Sequence, residues 1–94
     1  MSEDKLREEA DRGNKARFIL ENDLYKDAIK AIQDRTIEEF LTCKPEDTAS
    51  LQRIRLKVDV VEAFKQQFEK RVQTGKLAAQ QIEATEAMRS RQRR

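Results

Sequence analysis

The side chains that could do chemistry in this chain are few. Cys43 is the single thiol, and there is no histidine. A thiolate nucleophile needs a neighbouring base, or a positive environment that lowers its pKa. Lys44 is the adjacent cation and no imidazole exists to take the proton, so Cys43 reads as a small residue at the edge of a core. Asp34, Glu38 and Glu39 bring carboxylates close together, as an acid–base pair or a metal pair would. Helical di-metal sites complete such a set with Glu-x-x-His, which this sequence cannot supply. The only glycines are Gly13 and Gly75, and Gly75-Lys76 lacks the spacing of a phosphate-binding loop. The residues therefore assign no catalytic group, cofactor or metal, and the chain is read as non-enzymatic.

One charge feature stands out. Arg89, Arg91, Arg93 and Arg94 fall within the last six residues with no acid among them. Guanidinium groups suit phosphate through their fork of donors, so this tail is a candidate nucleic-acid contact. It suits an acidic protein surface equally, and a plain solvated end is the simplest account. No aromatic is interleaved with the arginines, so base stacking on the tail is not expected.

Charged residues make up 40% of the 94-residue chain and the hydrophobic set 37%, yet the net charge is only +2. Such a balance fits long solvated helices. Arg53, Arg55, Lys57, Lys65, Lys70 and Arg71 are interspersed with Asp59, Glu62 and Glu69, the pattern of a water-facing helix with i,i+4 pairs. Lys65 interrupts an otherwise apolar register. Its stem can lie along a core while the ammonium reaches water, or it can pair with a carboxylate of another helix. No apolar run approaches the roughly 20 residues of a membrane span. The polar, acidic-rich start, Met1 to Asp11, is unlike a secretion signal.

The elements that position these residues are helical. Leu51, Ile54, Val58, Val61, Phe68 and Val72, with Phe64 beside them, keep the three-four rhythm of one buried helix face. Leu24, Ala28, Ile29, Ile32, Thr36, Phe40 and Cys43 form a matching stripe, widened by Ala31, Ile37 and Leu41. Lys44-Pro45 ends the earlier helix, because the residue before proline is pushed out of the α region. Pro45 to Thr48 suits the opening of the next helix, which is expected to run to about Thr74. Gly75 is then expected as a left-handed cap.

At the front, Ser2 precedes Glu3 and Asp4, a capping hydroxyl followed by acids. A first helix is expected from Glu3 to about Glu21, with a break or fraying at Gly13-Asn14. Asn22 and Asp23 cap a new start at Leu24. The expected organisation is a polar arm over residues 1–14, a helical hairpin over 15–75, and a weak helix with the arginine tail over 76–94. The fold class is all-α, a long antiparallel helical hairpin with N- and C-terminal helical extensions.

Ala16-Arg17-Phe18-Ile19-Leu20-Glu21-Asn22-Asp23-Leu24, the apolar run to Phe40, the Pro45 turn and Thr74-Gly75-Lys76-Leu77-Ala78 together carry a resemblance. Over residues 16–82 the chain resembles short helical proteins that tailed bacteriophages and prophages encode near head and DNA-packaging genes. The resemblance implies virion assembly or genome packaging, in the host cytoplasm or the virion. It carries over no functional residue.

A hairpin of two helices covers only one side of each stripe, and Phe18, Ile19 and Leu20 can cover part of the remainder. The expected function is a protein-interaction or assembly module, a phage morphogenesis or virion-associated accessory protein. Its core and interface are expected among Tyr25, Ile29, Ile32, Phe40, Leu51, Val58, Val61, Phe64 and Phe68. The expected partner is protein, either further copies in a homo-oligomer or a larger phage or host protein. No membrane is expected as a partner. Two alternatives stand beside this: a nucleic-acid-binding packaging factor resembling a small terminase subunit, acting through the tail, and a phage-encoded inhibitor of a host protein.

Overall fold

The computed structural model describes residues 2–92. Three helices make up the fold: α1, Glu3–Glu21; α2, Asp23–Thr42; and α3, Thr48–Gln92. No strand occurs among the described residues. The chain is all-α.

Local chemistry sets most of the helix ends. Ser2 Oγ accepts the Lys5 amide at 3.3 Å, with Glu3 and Asp4 in the first turn of α1. Asn22 has an extended backbone, and its side chain accepts the amides of Leu24 and Tyr25 at 2.9 and 3.2 Å. It satisfies two of the orphan donors that open α2, as expected for a new start there. Pro45 sits in a turn closed by the Asp47 amide on the Lys44 carbonyl. It does not open α3, as the sequence led us to expect. Asp47 takes that role, because its carboxylate accepts both the Ser50 amide (3.2 Å) and the Ser50 hydroxyl (2.7 Å).

The chain forms two compact units. In one, α2 packs on α3 up to Gln67. Ile29 and Thr36 from α2 and Ile54 from α3 are its buried residues. The Thr36 hydroxyl donates to the Ile32 carbonyl at 2.8 Å, so burying it leaves no donor unmet. Tyr25 lies against Phe64 with ring centroids 6.4 Å apart, and Lys57 reaches Glu39 at 2.8 Å.

In the other unit, α1 packs on α3 from Phe68 onward. Its seam is made of Leu6, Gly13 and Ala16 against Gly75 and Ala78, all buried. Here two expectations are corrected. The helix does not break at Gly13-Asn14, and Gly75 is no cap: α1 and α3 run unbroken through their glycines, neither of which has a positive φ. Each glycine costs helix propensity, about 1 kcal/mol against alanine. Each also removes a side chain where the two backbones meet. A β-carbon on Gly13 would fall 2.9 Å from the Arg71 carbonyl oxygen. The polar arm expected over residues 1–14 is, over its described part, mostly the helix α1, with Leu6 and Gly13 buried; Met1 lies outside the described residues.

The seams are narrow. No side chain among the described residues is fully buried. Leu24, Ala28, Ile32 and Phe40, placed on the buried stripe by their spacing, are exposed instead. Ile29 and Thr36 are seven residues apart in α2, a single heptad position, so its one neighbouring helix buries only that line of the stripe.

Candidate functional site

An apolar groove runs along one side of the helix pair in the α2–α3 unit. Its wider part, about 460 Å³, lies between Ile37 and Phe40 of α2 and Leu51, Ile54 and Val58 of α3. A further part of about 290 Å³ adds Val61. Thr36, Ile37 and Val58 line both, so the two parts are continuous. Ile37, Phe40 and Val58 keep large fractions of their surface exposed, whereas Leu51 and Val61 are half-buried.

Charge sits at the groove's two ends. Asp34 and Glu62 border one end and Arg55 borders the other. Each has a neighbour on its own helix: Lys30 for Asp34 at 3.2 Å, Lys65 for Glu62 at 3.8 Å and Asp59 for Arg55 at 3.4 Å. These pairs are solvent-exposed and individually weak. Lys65 is the most covered of the six, with its ammonium on Glu62.

A separate cleft of about 610 Å³ near the α2–α3 turn is polar. Lys57 Nζ donates to both oxygens of Glu39, at 2.8 and 3.1 Å. That hydrogen bond, with the charges of Lys57, Arg35 and Arg53, holds the Glu39 carboxyl below its ordinary value. The Asp47 carboxyl is lowered too, first by the Ser50 hydroxyl and then by the Ser50 amide. Cys43 is half-buried, and its thiol is directed at the carbonyls of Lys44 and Asp47 at 3.5 and 3.9 Å. The carboxylates Asp34 and Glu39 are each matched to a lysine. Among the described residues no three His, Cys, Asp or Glu side chains gather as a metal would require. None of their helices is long and apolar enough to cross a membrane.

The sequence-selected residues divide accordingly. Phe40, Leu51, Val58 and Val61 line the groove. Ile29 is in the seam, and Tyr25 and Phe64 stack on one another. Ile32 is exposed. Phe68 belongs to the other unit, half-buried beside Ile19 and Ala16. In the basic tail, Arg89 is held by Glu3 through two contacts of 3.3 and 3.2 Å, and Arg91 is exposed in the last turn of α3. Arg93 and Arg94 lie outside the described residues. Sequence reasoning missed the rim charges Asp34, Arg55 and Glu62. Their signal was position: each lies three or four residues from Ile37 or Val58, on the edge of the apolar stripe.

Comparison with protein-family models, with curated proteins and with solved structures finds no match for this chain.

Proposed function

We propose that this chain is a non-enzymatic protein-interaction module whose binding surface is the groove between α2 and α3. The observation that carries the reading is the contrast between two sides of one helix pair. One side is lined by Ile37, Phe40, Leu51, Val58 and Val61. The other closes its polar groups on one another through Glu39, Lys57, Asp47 and Ser50. Contiguous exposed apolar surface rimmed by charge is the usual mark of a protein-binding site.

On this reading each unit is an antiparallel helix pair. Tyr25 meets Phe64 and Glu39 meets Lys57, so advancing along α2 means retreating along α3. Glu3 with Arg89 and Gly13 with Gly75 follow the same order in the other unit. The resemblance to small helical phage proteins supplies the setting we favour, virion assembly in the infected cell. The arginine tail contributes less to the reading, because Arg89 is already engaged by Glu3.

The test is photo-cross-linking from a reactive residue at position 37, against one at Lys30, in cells that make the full chain. Protein adducts at position 37 and few at position 30 are expected. Equal labelling at both positions, or none at 37, would overturn the reading. The masses of the adducts identify the partner and so test the virion setting as well.

A further inference from the structure

We propose that the surface covering this groove is a second copy of the same chain, docked face to face about a two-fold axis beside Ile37 and Val58. Helices α2 and α3 of the two copies then form a four-helix bundle. The proposal rests on the interaction reading above and names its partner.

Apolar surface is the first argument, because permanent two-fold interfaces are built around an apolar centre. A groove lined by Ile37, Phe40, Leu51, Val58 and Val61 has the apolar centre such interfaces need.

Self-complementarity is the second argument, and it selects a copy over an unrelated protein. A two-fold axis set across the helices places each end of the patch against the opposite end of the other copy, and charge favours that arrangement where the two ends differ in sign. The groove satisfies this. Arg55 borders one end and Asp34 and Glu62 the other, with Ile37 and Val58 between them. In α3, Arg55 is three residues before Val58 and Glu62 four residues after it. A rotation at Val58 therefore carries Arg55 of each copy onto the Asp34–Glu62 end of the other. The present partners of these groups are neighbours on their own helices, in pairs weak enough to be shared. A two-fold contact uses the same patch on both copies, so pairing covers both grooves and association through them stops at two.

The test is sedimentation equilibrium on the full chain and three variants, with helicity followed by circular dichroism. Wild type is expected at twice 11.0 kDa. Arg55→Glu should weaken the dimer about tenfold or more, because like charges then face one another at both ends. Arg55→Glu combined with Glu62→Arg should restore it. Positions 55 and 62 are two turns apart, about 10 Å along one helix, so that rescue must act between copies. Val58→Asp should give the single-chain mass. A wild-type mass other than two chains, or a dimer indifferent to Arg55→Glu, would overturn the proposal. A single-chain mass with position-37 adducts to a different protein would refute self-docking and leave the interaction reading standing. A single-chain mass without adducts would remove both.

Discussion

A β-carbon built on Gly13 would lie 2.7 Å from the Cα of Gly75, and one built on Gly75 would lie 2.7 Å from the Cα of Gly13. Both obstacles are backbone, which cannot swing aside as a side chain can. Alanine at an ordinary helix position gains about 1 kcal/mol over glycine. Overpacking of this kind costs about 1–3 kcal/mol, and it should win here. Gly13→Ala and Gly75→Ala are each expected to destabilise the chain by about 1–2 kcal/mol in urea unfolding. The double variant should lose less than the sum, since one substitution already spreads the helices. A gain in stability from either single change would show that the crossing is looser than described.

A second contrast separates seam from groove. Ile54 is 9% exposed and Ile37 is 58% exposed. Ile54→Ala should cost about 2–4 kcal/mol through lost burial and the cavity left behind. In dilute protein, where the groove is uncovered, Ile37→Ala should cost under about 1 kcal/mol, and its effect should grow with protein concentration. Equal losses at the two positions, measured by thermal unfolding at low concentration, would contradict this division.

The start of α2, the turn around Pro45 and the seam positions Ile29, Thr36 and Ile54 were legible because each has a local cause: a capping amide, a proline, or a three-four spacing. The path of α3 through Gly75 was not. Glycine after a helical run signals a cap, and only the presence of Gly13 across the seam turns it into a packing residue. Ala10, Ala16, Ala78 and Ala79, three or four residues from the two glycines, were the available hint of close helix approach. The stripe in α2 was drawn too wide for a related reason. Residue type marks what can be buried, whereas a single neighbouring helix decides how much is. Leu24 and Phe40 therefore stayed exposed, and the groove exists because Phe40 and Ile37 had nothing of their own chain to meet.

Acid should loosen the α2–α3 turn. Glu39 is held below its ordinary value of 4.5, chiefly by the Lys57 hydrogen bond, and Asp47 below 3.8, chiefly by the Ser50 hydroxyl. A carboxyl with a depressed folded-state pKa adds stability above its unfolded value and loses it as the pH falls through the folded one. The melting temperature should therefore drop between about pH 5 and pH 2. Asp47→Asn keeps an acceptor for the cap without a titrating group, so its acid slope should be shallower than wild type. Identical slopes would remove Asp47 from the account.

The ion pair between Arg89 and Glu3 joins the end of α3 to the start of α1. Its side chains are 57% and 37% exposed, so solvent screens it. Arg89→Ala should cost about 0.5 kcal/mol or less, and the difference from wild type should vanish in molar salt. A larger, salt-independent loss would mean that the arginine stem packs as well as pairs.

The central claim is that the working protein does not leave its α2–α3 groove open. Hydroxyl-radical footprinting in cells making the full chain tests it most directly, with each residue's labelling normalised to the unfolded chain. Phe40 lines the groove, whereas Leu41, its neighbour in sequence, lies outside it. In the free chain Phe40 is 56% exposed and Leu41 is 74% exposed. Strong protection of Phe40 and Val58 with Leu41 still labelled is the predicted result. Phe40 and Val58 labelled in proportion to their free-chain exposure would contradict it.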